Sequence, residues 1–291
     1  MGVGMSVLEL HFAEPLAEIE RRLARGEDPG RAFRGIDDDL FALLSTRDYP
    51  GFEAIKAAVP QYPSEAWVQD CTGNLTLFEA VKEAVLFWGL AKSLYARHAR
   101  KRPPLAEATI VDYGAGWGRI TRFCPKDVGK VYAVEPNPTF HDIFNLCGVP
   151  GELVKSDFLS AEKLPIRKAD LLFCFSILTH ASDRLARNIA ERWAEILAPG
   201  AVVLTTIRPG SYLEMDGGEI ARLSDDERKA VREDYRQGRL AYWEYPGMED
   251  WGITIMPPSY LQEVFGKHFE IIGPRYFLQN DTQLPMVLVR R

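Results

Sequence analysis

The sequence is poor in the residues that staple, metallate or anchor a chain. It holds four cysteines, Cys71, Cys124, Cys147 and Cys174, in 291 residues. No two form a C-x-x-C pair, so no metal site is expected. Cys174 lies in an apolar run and reads as a core residue. Reduced thiols and a cytoplasmic location are the expectation. Long hydrophobic runs are missing too. No stretch approaches about 18 consecutive apolar residues, so no transmembrane helix is expected. The start shows no basic segment followed by an apolar one, so no secretory leader is expected. Met1-Gly2 with Ser6 fits a myristoylation pattern formally, but nothing nearby supports an anchor. Positive charge is also in deficit, with 35 Lys and Arg against 41 Asp and Glu and a net charge of −6. A dominant basic face is thereby excluded, and neither nucleic acid nor membrane is expected as a partner. The run Arg97-His98-Ala99-Arg100-Lys101-Arg102 reads as the solvated end of a helix before Pro103-Pro104.

What is present is an α/β pattern with additions at both ends. Residues 1–66 read as a helical N-terminal extension. Val7, Leu8, Phe12, Ile19 and Leu23 recur at roughly helical spacing over 6–26, Pro15 breaks the helix or opens a turn, and Gly26 stops it. Shorter helical pieces follow near 37–44 and 52–59, and residues 75–100 form a stronger helix. Then Thr109-Ile110-Val111, Val131-Tyr132-Ala133-Val134, Leu171-Leu172-Phe173-Cys174-Phe175 and Ala201-Val202-Val203-Leu204-Thr205 read as buried strands. Helical segments separate them, notably 184–197. Continuous apolar strands alternating with helices indicate a parallel sheet covered on both faces. After Pro209 the alternation stops. Ser224-Asp225-Asp226-Glu227 is a capping box that opens a helix to about Arg236. An aromatic-rich stretch runs over 242–251, a short helix over 259–265, and two last strands over 269–272 and 286–289, joined by a polar connection with Asn280 and Asp281.

The chemistry concentrates after the first strand. It ends in Asp112 and runs into Gly114-x-Gly116-x-Gly118, with Arg119-Ile120-Thr121 expected to begin a helix. Glycines here let a ligand approach main-chain N–H groups, and a helix N-terminus favours a carboxylate or phosphate. Glu135 closes the next strand, where a carboxylate can accept hydrogen bonds from ribose hydroxyls. Asp157-Phe158 comes one unit further. An acid there can accept from an adenine amino group and the ring can pack on the base; alternatively Asp157 caps a turn.

These residues resemble the class I S-adenosylmethionine (SAM)-dependent methyltransferase family. Val111-Asp112-Tyr113-Gly114-Ala115-Gly116-Trp117-Gly118-Arg119 is similar to its first motif, Val134-Glu135-Pro136 to its ribose-binding acid, and Ser156-Asp157-Phe158 to its adenine-binding pair. Residues 169–180 resemble its fourth-strand segment and Leu197-Ala198-Pro199-Gly200-Ala201 the turn before its fifth strand. The resemblance covers about 108–207 and the last two strands, and is weak or absent over 1–65 and 208–258. It implies a Rossmann-like doubly wound sheet, mostly parallel with a C-terminal antiparallel strand. It implies a methyltransferase domain over 67–291 with an insertion at about 208–258, and SAM as cofactor. Gly114 and Gly116 would face the methionine part and Asp112 would support its amino group. Glu135 would hold the ribose, Asp157 and Phe158 would frame the adenine with Pro136 on its other face, and Phe175-Ser176 would approach the methionine end. Gln69, Thr72 and Gly73 would close over the cofactor, since this class often adds an N-terminal lid.

The acceptor side is read from single residues. His180 follows the fourth strand near the switch-point crevice and is the candidate catalytic base; it also fits a structural or cofactor-contacting histidine. Asp183 would orient it or cap the helix from Arg184, and His141 reads as a helix-face residue. The insertion holds Tyr212, Tyr235, Tyr242, Trp243, Tyr245 and Trp251, which either wall a substrate site or fill a small core of their own. Its acids Glu214, Asp216, Glu219, Glu244, Glu249 and Asp250 point towards a polyhydroxylated or cationic substrate. An Asn/Asp-Pro-Pro-Tyr/Phe motif is absent after the fourth strand, where Phe175-Ser176-Ile177-Leu178 stands. The expectation is methyl transfer to a hydroxyl of a small molecule, sugar or natural-product-like, with a small-molecule amine as the second choice. A NAD-dependent oxidoreductase or a non-catalytic scaffold are the readings from other classes, and a homodimer through the N-terminal segment stays open.

Overall fold

Two alternating sets of side chains leave each apolar strand, and each set meets a different layer of helices. In the computed structural model, which describes residues 11–47, 49–159, 162–275 and 282–291, strand β1 (Thr109–Tyr113) sends Ile110 to one face and Val111 and Tyr113 to the other. Further strands are β2 (Lys130–Glu135), β3 (Glu152–Lys155), β4 (Ala169–Cys174) and β5 (Leu197–Ile207). In β4, Leu171 and Phe173 join the Ile110 side while Leu172 and Cys174 join the Val111 side. In β5, Val202 and Leu204 divide from Val203 and Ile207 in the same way. This period of two on both faces is what a doubly covered sheet requires.

The sheet is completed by β8 (Phe269–Pro274) and β9 (Leu284–Arg290), in the order β3-β2-β1-β4-β5-β9-β8. Strands β1 to β5 pair in parallel, and β9 runs antiparallel to both of its neighbours. The strand order reverses between β1 and β4, so a crevice opens at their carboxyl ends. The expected Rossmann-like sheet with one late antiparallel strand is therefore what the chain forms.

The N-terminal part is helical: α1 (Ala13–Ala24), α2 (Pro29–Ala32), α3 (Asp38–Thr46), α4 (Glu53–Ala58), α5 (Glu65–Thr72) and the long α6 (Leu77–His98). Pro15 stands in the first turn of α1, where its missing N–H breaks no helical bond. Leu16, Phe33, Phe41 and Ile55 share one core with Phe87 and Trp88 of α6 and one face of the sheet. The other face is covered by α8 (Asp183–Ile196) and α10 (Pro258–Val264), with α7 (Pro138–Leu146) packed beside the glycine-rich turn. Between β5 and α10 lies the insertion. Its helix α9 (Asp225–Arg236) opens on the reciprocal Ser224–Glu227 capping box, and its hairpin pairs β6 (Ala241–Glu244) with β7 (Gly252–Ile255).

Two local expectations need correction. The residues after the glycine-rich turn do not begin an α-helix. They form turns and one short 3₁₀ segment, Thr121–Phe123, and Pro125 follows. Gly118 holds φ at +77° and Pro125 removes an N–H that a growing helix needs, so helix propagation is interrupted at both ends. Secondly, β3 is an additional strand: it is four residues long, edge-lying, and buries only Val154. The expected helical residues 6–10, the Met1-Gly2/Ser6 pattern and the connection through Asn280 and Asp281 lie outside the described residues. Among the described residues no helix is long and apolar enough to cross a membrane.

Candidate functional site

The donor half of the site is built from main chain. Gly114 and Ala115 both donate to the Val134 carbonyl, which folds the turn back over β2. The Gly116 N–H donates to Glu135 Oε2 at 2.8 Å, and the Asn137 N–H donates to Oε1 at 2.8 Å. Glu135 is thus fixed beside the turn with one lone pair of each oxygen still free. Burial raises its proton affinity, and the two N–H donors oppose that rise. Gly116 has φ of +55°, and a Cβ built there would meet open space. Gly114 differs, because a Cβ there would overlap the Ile177 side chain from the β4 loop. The open position lies next to a held carboxylate, where a ligand can reach the backbone, so these residues fit the cofactor that the resemblance implies.

Asp112 sits beneath the turn, 2% exposed, and accepts from Thr121 Oγ1 at 2.6 Å. Desolvation pushes its pKa up to about 7, with the Thr121 bond and the nearby Arg119 acting against the rise. Arg119 pairs with Glu83 at 2.6 Å and lies 4.9 Å over the Phe175 ring. The N-terminal segment closes the other side. Trp117 of the turn meets Tyr62 and Trp67 edge-on, each at 6.2 Å, and Val68 of α5 packs in the same cluster. Gln69 and Thr72 lie in α5, whose end is capped by Gly73 in a left-handed conformation. All three are therefore on the helix that covers the turn.

The remaining expected cofactor residues divide. Pro136 is exposed after Glu135. Asp157 is exposed and accepts from the Leu159 N–H at 2.9 Å. Phe158 is buried and stacks on Tyr113 with centroids 4.7 Å apart. His141 is buried and bonds the Glu135 carbonyl through Nε2 at 2.7 Å, so it braces the β2 end.

Ser176 ends the β4 side of the crevice with φ of +63°, a conformation that costs a non-glycine residue about 1 kcal/mol. A closed ring of hydrogen bonds holds it there. Its N–H donates to Thr206 Oγ1 at 2.8 Å, Thr206 donates to Gln283 Oε1 at 2.6 Å, and Gln283 Nε2 donates to Ser176 Oγ at 2.8 Å.

The candidate acceptor half lies where the hairpin of the insertion docks along the loop after β4. The Gly252 N–H donates to the His180 carbonyl at 2.9 Å and the Thr254 N–H to the Thr179 carbonyl at 3.0 Å. Thr254 Oγ1 donates to the Ala181 carbonyl at 2.8 Å, and the Ser182 N–H to the Asp250 carbonyl at 3.1 Å. His180 is gripped twice, because its Nδ1 lies 2.8 Å from the Gly252 carbonyl. A carbonyl only accepts, so Nδ1 carries the proton and Nε2 a lone pair. The ring stacks on Trp251 with centroids 5.0 Å apart and planes inclined by 18°. Burial, then the Arg208 charge, depress its pKa to about 4, and Glu219 works in the opposite direction. Asp183 does not orient His180; it bonds Arg187 and Tyr260, and Ser182 caps α8. Tyr212, Tyr235, Trp243 and Tyr245 pack mainly on the insertion's own core, whereas Trp251 faces His180. The sequence reading missed Thr206, Gln283, Arg208 and the Gly252 carbonyl. Thr206 and Arg208 carry one signal, their position at the carboxyl end of β5.

The sheet order, the glycine-rich turn after β1 and the acid closing β2 match the arrangement that the resemblance implies. Residues 111–205 match the family model described as a methyltransferase domain, so the chain contains a methyltransferase domain. Similar solved structures include a SAM-dependent methyltransferase from Clostridium acetobutylicum, with 12% identity, 77% of this chain and 97% of that chain covered, and a TM-score of 0.49. A TehB-like SAM-dependent methyltransferase from Corynebacterium glutamicum has 14% identity, with 78% of this chain and 94% of that chain covered and a TM-score of 0.46. A magnesium protoporphyrin IX methyltransferase from Synechocystis has 13% identity, with 72% and 86% covered and a TM-score of 0.45. No curated protein sequence matches the chain.

Proposed function

We propose that the chain transfers the methyl group of SAM to a hydroxyl of a small molecule, sugar or natural-product-like, and that His180 receives the hydroxyl proton. SAM supplies an electrophilic methyl on a sulfonium. The chain's own residues have three tasks: to hold the donor, to place the acceptor and to accept a proton. Gly114, Gly116, Asp112 and Glu135 form the donor cradle, and Phe175-Ser176 the edge next to the reacting end. Pro136, Asp157 and Phe158 stand around the adenine side, and Gln69 and Gly73 belong to the covering helix. The observation that carries the reading is the fixed tautomer of His180. With Nδ1–H committed to Gly252, Nε2 is left as an acceptor. The imidazole stays neutral at neutral pH because its pKa lies near 4.

That low proton affinity favours one second reading, methylation of a small-molecule amine. An amine can lose its proton after the transfer and asks less of a base. The test is a panel of hydroxyl and amine acceptors with labelled SAM, run on the parent and on His180→Gln. For a hydroxyl acceptor, kcat falls by roughly 10²–10⁴-fold in the variant while SAM affinity is kept. The acid limb of kcat/KM in the parent lies near pH 4, below the usual histidine range. A variant that keeps its kcat overturns the role of His180.

A further inference from the structure

A charge pair stands beside the His180 loop. Arg208, at the end of β5 and 5% exposed, donates from Nη1 to the carbonyl of Thr179, the residue before His180. Its Nη2 donates to Glu219 Oε2, and its guanidinium lies 4.8 Å over the Tyr212 ring. The second oxygen of Glu219 accepts from the Tyr245 hydroxyl at 2.6 Å. Tyr245 belongs to the loop that follows β6, and its ring centroid is 6.1 Å from that of His180. Glu219 therefore joins three pieces that are far apart in sequence: the end of β5, the first 3₁₀ turns of the insertion, and the hairpin that grips His180. The charged groups that act on His180 electrostatically are Arg208 from β5 and Glu219 from the insertion; Tyr245 and Trp251 supply uncharged neighbouring rings and Gly252 a carbonyl.

A lone arginine in this position would repel any proton arriving on His180. Glu219 compensates that charge, and it is a counter-ion for an imidazolium formed during turnover. Its side chain is also part-exposed, at 31%, which leaves it on the solvent side of the pair, whereas Arg208 is at 6%. We propose that Glu219 is a positioning residue for methyl transfer. Its carboxylate, held by Arg208 and Tyr245, locks the insertion onto the His180 loop and stabilises the proton that His180 accepts. Arg208 sets the geometry of the loop, and Tyr245 orients the carboxylate. The inference rests on the reading of His180 as proton acceptor.

Two measurements separate the inference from that reading. The first needs no acceptor: NMR titration of the five histidines in the whole protein with SAM present, His180 being assigned by His180→Gln. In Glu219→Gln, the His180 midpoint moves down by about one pH unit, a tenfold loss of proton affinity. Tyr245→Phe keeps the ring and the carboxylate, and moves the midpoint less. The second is steady-state kinetics. Glu219→Gln lowers kcat about tenfold with the KM for SAM unchanged, and Glu219→Asp recovers part of the loss. An unmoved His180 midpoint in both folded variants overturns the inference even when His180→Gln is inactive. A fully active His180→Gln overturns the base reading and leaves the titration result standing.

Discussion

The two halves of the site are assembled in opposite ways. At the glycine-rich turn and the end of β2, partners are close in sequence: Asn137 and Glu135 are two residues apart, Thr121 and Asp112 nine, Gly116 and Glu135 nineteen. Most donors there are backbone N–H groups. In the candidate acceptor half, His180 and Gly252 are 72 residues apart, and Thr254 and Ala181 73. The turn and the acid beside it belong to one supersecondary unit, β1–turn–β2. The acceptor half exists only after the insertion has docked. On the proposed reading, such a division would let one methyl donor serve different acceptors through changes in the insertion while the turn stays as it is.

The largest effect on the donor half is expected from Glu135→Ala, which leaves the Gly116 and Asn137 N–H groups without their acceptor. Hydrogen bonds to charged groups contribute about 1.5–3 kcal/mol, so SAM affinity in calorimetry should fall by roughly 10- to 100-fold. Affinity equal to the parent's breaks the assignment of the turn. Gly116→Ala comes next. The added methyl points into open space, so the cost to stability is about 1 kcal/mol for the positive φ. Its occupancy of the ligand's approach should weaken SAM several-fold more than stability alone explains. Gly118→Ala is the control, since its Cβ would lie 2.7 Å from Val149 and 2.9 Å from Phe144 and should act through stability. The smallest effect at neutral pH is expected from Asp112→Asn. Asp112 titrates near 7 when folded and near 3.8 otherwise, so the folded state binds more protons between those values. Stability from this group therefore declines as pH rises from about 4 to 7. Denaturation at pH 5 and pH 8 should show the decline in the apo parent and a weaker one in Asp112→Asn. An identical decline in both would place the charge elsewhere.

The same contrast sets what was readable in advance. Strands β1, β2, β4 and β5 announce themselves as unbroken apolar runs, and the turn Gly114-x-Gly116-x-Gly118 with Glu135 beside it is legible as a tight turn next to an acid. Helix α9 is visible in its capping box. What failed was non-local or main-chain in nature. The partner of His180 is a carbonyl, which has no side-chain signature, so Asp183 was the only visible neighbour. The hairpin β6–β7 is hidden because its strands are four residues each and its aromatics suit a core as well as a site. The helix expected after Gly118 follows from pattern alone, and only Pro125 warned against it. Strand β3 has charged residues at both ends, Glu152 and Lys155, and an edge strand with one buried residue leaves no hydrophobic run.

The aromatic cluster on the turn has an optical consequence. Of the six tryptophans, Trp88 and Trp193 are sealed in the two layers against the sheet and make a steady emission background. Trp117 lies one residue from Gly116, nearly buried and edge-on to Trp67 of the covering helix. Any adjustment of the turn around a bound donor changes the distance or tilt of this indole pair. The pair places an intrinsic fluorophore at the donor side, while Trp251 stacked on His180 places a second one at the acceptor side. If donor and acceptor bind as proposed, occupancy of each half would be followed by light, without a label, by removing one indole at a time.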